Sequence, residues 1–272
     1  MAIIWVKLGS DTQFWRNGES MSNREYKLQS RASESQLLAR QKLLDLFKKC
    51  PIPEEQLLVN LGLYIRSSVL AKFLYVNELY QNIIHIPGII MEFGVWWGQN
   101  LALFESLRTV YEPYNYTRKI VGFDTFTGYT SISPKDGKSE LVREGVYSTT
   151  ENYEEYLEEL LSYHEQENPM SHIKKYEIVK GNVVHTVEKY LKDHPETIIA
   201  LAYFDLGLYE PTEKCLQAIK PHITRGTVIV MDELNSWEFP GETLAFKEVI
   251  GLDKYKIVRS QFLPDRSYIV ID

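Results

Sequence analysis

Apolar residues along this chain change their rhythm near residue 88. Before it they recur at helical spacing. Leu37, Leu38, Leu43, Leu44 and Phe47 do so within 36–50, and Leu63, Ile65, Val69, Leu70, Phe73, Leu74 and Leu79 within 61–84. This spacing predicts helices. From Ile89 onward, short apolar runs alternate with helical stretches. Strands are predicted at 89–93, 119–123, 177–180, 198–204 and 227–231, and helices at 98–110, 151–166, 184–192, 211–220 and 242–250. Short buried strands alternating with helices imply a mostly parallel sheet covered on both faces. Two last runs, near 255–260 and 266–271, fit an antiparallel hairpin that finishes the sheet. The expected fold class is therefore α/β, with residues 1–85 as an N-terminal arm and helical extension and 86–272 as the sheet domain. Residues 1–35 are polar and mixed, and read as a loose arm. The segment 125–150 is long, polar and glycine-containing; such a loop is uncommon unless functional, for example as a lid over a site.

The stretch Gly88-Ile-Ile-Met-Glu-Phe-Gly-Val-Trp-Trp-Gly-Gln-Asn100 reads as strand, tight turn and helix start. In α/β proteins this arrangement binds nucleoside cofactors at strand C-terminal ends. A dinucleotide fingerprint placed on Gly94 needs glycines where the chain has Trp96 and Gln99. A tryptophan fits poorly where backbone must approach a pyrophosphate. A donor without phosphates, such as S-adenosylmethionine, removes that objection and disfavours a nicotinamide oxidoreductase. Glu92, Gly94, Gly98 and Asn100 are the cofactor-binding candidates here.

Acids end the other strands too. Asp124 follows the second, in Gly122-Phe-Asp-Thr-Phe-Thr-Gly128; it suits either both ribose hydroxyls or a cap for the next segment. Gly181-Asn182 follows the third, where Asn182 suits either the adenine edge or a helix cap. Asp205 ends the fourth, and Asp232-Glu233 the fifth. Clustered carboxylates repel one another unless a cation or shared protons neutralise them. Oxygen-only ligands suit Mg²⁺ or another hard divalent cation, while the alternative is solvated capping acids. Trp96 and Trp97 either flank a ligand or pack in the core.

Composition narrows the rest. A chain of 272 residues with a formal net charge of −7 is no dedicated nucleic-acid binder, since phosphate neutralisation needs a basic face. Two isolated cysteines, Cys50 and Cys215, suggest reduced thiols and a cytoplasmic protein. No apolar stretch approaches the ~20 residues that span a bilayer. The apolar faces of the N-terminal helices suit either a homo-oligomer or core packing.

Four motifs together carry a resemblance: Glu92-Phe-Gly-Val-Trp-Trp-Gly98, Gly122-Phe-Asp-Thr-Phe-Thr-Gly128, Phe204-Asp-Leu-Gly-Leu-Tyr-Glu-Pro-Thr212 and Asp232-Glu233 with Phe239-Pro-Gly-Glu-Thr243. From about residue 60 to 270 the chain resembles the macrocin O-methyltransferase family, and within it the enzymes that methylate a sugar hydroxyl of nucleotide deoxysugars or glycosylated natural products. The resemblance implies a Rossmann-like class I methyltransferase sheet, S-adenosylmethionine as donor, and a divalent metal, usually Mg²⁺, on Asp205, Asp232 and Glu233. It also makes Tyr64 and Arg66, before the first strand, cofactor-binding candidates that help close the site; the arginine suits either the cofactor carboxylate or the outer face of its helix. One position departs. The family pattern reads Asp-x-Asp-x-Tyr, with the second acid a plausible general base, and this chain has Gly207 there. The base then comes from elsewhere, with Glu210 and Glu242 as candidates, or metal activation suffices, or the chain binds the donor with catalysis reduced or lost. A missing general base typically costs about 10²–10⁴-fold.

Overall fold

The computed structural model describes residues 32–272. Most of the arm expected over 1–35 lies outside the described residues. Two units divide the chain, one ending at Leu70 and the other spanning Ala71–Asp272.

In the first unit, Ser33 starts helix α1 (Glu34–Lys48) with a capping box: its Oγ accepts from Gln36 N, and Gln36 Oε1 accepts from Ser33 N. A short helix α2 (Glu54–Leu57) runs into a 3₁₀ stretch, Leu58–Tyr64. The helix expected over 61–84 is therefore broken. Gly62 weakens helical order, Ile65 turns extended, and α3 (Ser67–Ile83) starts afresh.

In the second unit a seven-stranded sheet has the order β3-β2-β1-β4-β5-β7-β6. Its strands are β1 (Ile89–Phe93), β2 (Ile120–Asp124), β3 (Tyr176–Lys180), β4 (Ile199–Phe204), β5 (Ile223–Met231), β6 (Val258–Arg259) and β7 (Ser267–Val270). The first five pair in parallel, and β7 runs antiparallel to β5 and β6. This is the mostly parallel sheet with an antiparallel finish that the hydrophobic pattern predicts. Helices α4 (Gln99–Tyr111), α5 (Tyr153–Gln166), α6 (Val183–Asp193), α7 (Tyr209–Ile219) and α8 (Pro240–Val249) complete the unit.

Successive strand residues point to opposite faces, which sorts the core into two layers. Ile90, Ile120, Leu201 and Val228 pack with Tyr75, Leu79 and Tyr80 of α3, Phe104 of α4 and Leu161 of α5. Met91, Phe93, Val121 and Ala202 pack on the other face with Val187 of α6, Leu216 of α7 and Phe246 of α8. Glu92 shares its face with Ile90, beneath α4. The buried part of α3 thus packs with the sheet unit, which spans Ala71–Asp272.

Arg118 locks the approach to β1. Its guanidinium donates to the carbonyls of Gly88, Ile83 and Ile86 and to both oxygens of Glu112. No single helix among the described residues is long and apolar enough to cross a membrane.

Candidate active site

Strand β1 has β2 on one side and β4 on the other, so the chain reverses its direction of sheet growth there. Ligands of open α/β sheets bind outside the strand carboxyl ends at this switch point. The turns leaving β1 and β4 touch. Gly94 N donates to Phe123 O at 2.9 Å, and Asp205 N donates to Phe93 O at 2.9 Å. A Cβ on Gly94 would lie 2.0 Å from the Asp205 carbonyl oxygen, and its φ of +91° is left-handed. Only glycine meets both demands.

Asp124 ties this turn to the end of β2. Its Oδ2 accepts from Val95 N and Trp96 N, both at 2.7 Å, and its Oδ1 from Phe126 N at 2.6 Å. The bond to Phe126 is the local turn-capping contact weighed from sequence. A carboxylate has about four lone-pair sites, so this arrangement leaves little capacity for a ribose. Burial nonetheless outweighs these amides and raises the Asp124 pKa.

Glu92 is buried. Its Oε1 accepts from Asn100 Nδ2 at 2.7 Å, whereas Glu92 Oε2 and Asn100 Oδ1 have no partner. Burial pushes Glu92 up to about 8, against the Asn100 hydrogen bond and the charge of Lys72 on α3. Gly98, left-handed at φ +75°, stands at the N-cap of α4. Asn182 caps α6, with Oδ1 accepting from Val184 N at 3.0 Å, and its Nδ2 donates to Thr130 Oγ1 at 3.4 Å. Within the first unit, the Tyr64 hydroxyl donates to Cys50 Sγ at 3.0 Å, and the Arg66 carbonyl accepts the first backbone bonds of α3.

Acids gather beyond β4 and β5. Desolvation and the charge of Asp232 raise the Asp205 pKa above its ordinary value, although the residue keeps an exposed surface. Burial and the same neighbour bring Glu233 to about 7. Glu242, on the first turn of α8, accepts from the backbone amides of Leu206, Gly207 and Glu233, and burial brings it to about 8. Glu210 is exposed on the first turn of α7.

The metal expectation meets a cation already in place. Arg266 Nε forms an ion pair with Asp232 Oδ1, and that oxygen also accepts from the Tyr203 hydroxyl at 2.9 Å. Among the described residues no three His, Cys, Asp or Glu side chains converge as a ligand set. Asp205, Asp232 and Glu233 have the right donor chemistry but, as arranged here, do not fit a shared cation. Sequence reasoning missed Arg266 because only the antiparallel register, Met231 opposite Ser267, sets it beside Asp232.

The 125–150 segment folds over this region. Its base is a ladder in which Thr127 bridges Ser148 and Tyr129 N donates to Val146 O. Asp136, buried in a short 3₁₀ turn, accepts from Tyr209 N at the start of α7. Tyr147 from this segment packs edge-on against Trp96 and Tyr129 and lies 6.5 Å from Phe239. Trp97 packs edge-on against Tyr153. Both tryptophans are half-buried. Asp136, Tyr129 and Lys72 gave no signal in the one-dimensional pattern.

Residues 72–253 match the model of the macrocin-O-methyltransferase (TylF) family. The crystal structure of CalS11, a calicheamicin methyltransferase, is 37% identical and superposes with a TM-score of 0.86 over 96% of this chain and 99% of its own. An apo structure of CalS11, described as a TDP-rhamnose 3′-O-methyltransferase of calicheamicin biosynthesis, is 38% identical with a TM-score of 0.79 over 89% of this chain and 96% of its own. The O-methyltransferase NovP shares the fold, at 17% identity and a TM-score of 0.56 over 74% of this chain and 80% of its own. No curated protein matches the sequence. The chain belongs to the macrocin-O-methyltransferase family and is an S-adenosylmethionine-dependent O-methyltransferase with the class I fold.

Proposed function

We propose that this enzyme methylates a hydroxyl of a sugar carried by a nucleotide or a glycosylated natural product. The observation that carries this reading is the contact of the Gly94 turn, the proposed donor-binding turn, with Asp205 of the acid cluster. The likeness to CalS11 along nearly the whole chain supports a sugar acceptor. Glu92 would offer its open Oε2 to the donor's ammonium group, and Asn100 would hold that carboxylate. Gly94 and Gly98 would let the backbone close on the donor. Asp124 would fix the turn and meet the ribose with its remaining lone pair, while Asn182 would reach the adenine edge through Nδ2.

In the transfer, the acceptor oxygen attacks the methyl carbon in line with the sulfonium. The carbon–sulfur bond breaks as the carbon–oxygen bond forms, leaving S-adenosylhomocysteine. The hydroxyl proton passes to a carboxylate; we assign Asp205, with Glu210 as the outlying alternative. Orientation of the two reactants supplies much of the acceleration. Mg²⁺ at Asp205, Asp232 and Glu233 would require Arg266 to leave Asp232.

Calorimetry with S-adenosylmethionine, then mass spectrometry of reactions with a panel of nucleotide deoxysugars, tests the proposal. Donor binding with methylation of at least one sugar is expected. Donor binding with transfer to no sugar would favour a donor-binding protein with lost catalysis, the reading that Gly207 motivates. We also propose that Leu37, Leu38, Leu46, Leu58 and Val59, all exposed, mediate a homo-oligomer, which light scattering would detect. The free Cys50 and Cys215 support the proposed cytoplasmic setting.

A further inference from the structure

We propose that the Tyr129 hydroxyl binds and orients the acceptor hydroxyl, in the space that a side chain at position 207 would otherwise fill. This rests on the sugar-methylation reading above. An ideal Cβ on Gly207 would lie 2.5 Å from the Tyr129 hydroxyl oxygen and 3.1 Å from Phe239 Cδ1. Gly207 has a φ of +64°, so both space and backbone favour glycine. The absent side chain therefore admits the phenol to the turn that follows Asp205.

The surroundings suit a substrate contact. Asp205, Glu233 and Glu242 all act electrostatically on Tyr129. The Tyr129 ring is braced edge-on by Tyr147, at 5.4 Å between centroids. The backbone on either side is held by Tyr129 N donating to Val146 O at 3.1 Å and Gly145 N donating to Tyr129 O at 2.9 Å. The hydroxyl enters no hydrogen bond with another described residue. A braced phenol with both donor and acceptor capacity can accept from one sugar hydroxyl and donate to its neighbour. Set among these acids, it is a further group able to distinguish a vicinal diol from a single hydroxyl.

The test compares wild type with Tyr129→Phe on whichever nucleotide deoxysugar the wild type methylates. For Tyr129→Phe, kcat should fall about 10–100-fold through lost orientation. The S-adenosylmethionine Kd and the Tm should stay at their wild-type values. A kcat within about threefold of wild type would overturn the inference while leaving the function intact. Wild type that binds donor but methylates no sugar would instead overturn the function and this inference with it. Gly207→Asp gives a second reading should Tyr129→Phe fold poorly. Eviction of the phenol should lower turnover, and unchanged or higher turnover would count against Tyr129.

Discussion

Arg266 holds Asp232 twice, with Nε on the carboxylate and Nη1 donating to the Asp232 backbone carbonyl at 2.9 Å. A positive charge is thus built into the acid cluster at the end of β5. Removing one partner of such a buried pair strands the other, at a cost of about 3–5 kcal/mol. Arg266→Met should lower the melting temperature accordingly. Added Mg²⁺ should restore part of that loss and move the wild type little. No recovery with Mg²⁺ in a thermal melt would show that these acids cannot hold a cation even when freed.

Asp124 holds the Gly94 turn through the amides of Val95 and Trp96 and caps its own turn through Phe126 N. Asp124→Asn replaces one accepting oxygen with a donor facing N–H groups. The donor-free protein should lose about 1–3 kcal/mol in urea unfolding. Calorimetry should show weaker S-adenosylmethionine binding. Unchanged stability would argue that Asp124 serves the ligand alone.

Glu105 of α4 is fully buried, and neither of its carboxyl oxygens has a partner. Burial raises it from 4.5 to about 8, against the pull of Arg108. Between those values the folded state binds the extra proton, so its contribution to stability falls as pH rises. Glu105→Gln should therefore gain on the wild type between pH 5 and pH 9, on the order of 3 kcal/mol. Chemical unfolding of both proteins at the two pH values reads the difference, and parallel curves would refute it.

Arg118 and Glu112 work in the opposite sense. Burial alone would raise Glu112, but hydrogen bonds from Arg118, Tyr80 and Asn115 outweigh it and hold the pKa below 4.5. A lowered carboxylate stabilises above its unfolded pKa and loses that contribution as pH falls through the folded one. Arg118→Met also strands the carbonyls of Ile83, Ile86 and Gly88. A loss of about 3–5 kcal/mol at pH 7, shrinking in acid, is expected from denaturant titrations.

Much of this protein is legible in one dimension because periodicity is a local property. Ile89–Phe93 and Ile199–Phe204 read as buried strands, and the structure forms them there. The acids that end strands, Glu92, Asp124, Asp205 and Asp232, were visible as punctuation of apolar runs, and parallel strands necessarily bring their carboxyl ends to one edge. The breaks in register and spacing were not visible. The helix expected over 61–84 divides at Ile65, where an extended residue leaves no trace in apolar spacing.

What the amino-acid order determined by itself was the α/β alternation, the glycine turn after β1 and the set of acids beyond the strands. What only the tertiary structure decided was which partners those groups keep. Met231 had to pair with Ser267 before Arg266 could meet Asp232. The 125–150 segment had to fold back before Tyr129 could reach Gly207. Those contacts join residues far apart in the chain, and a local pattern carries no information about the loops and registers that bring them together.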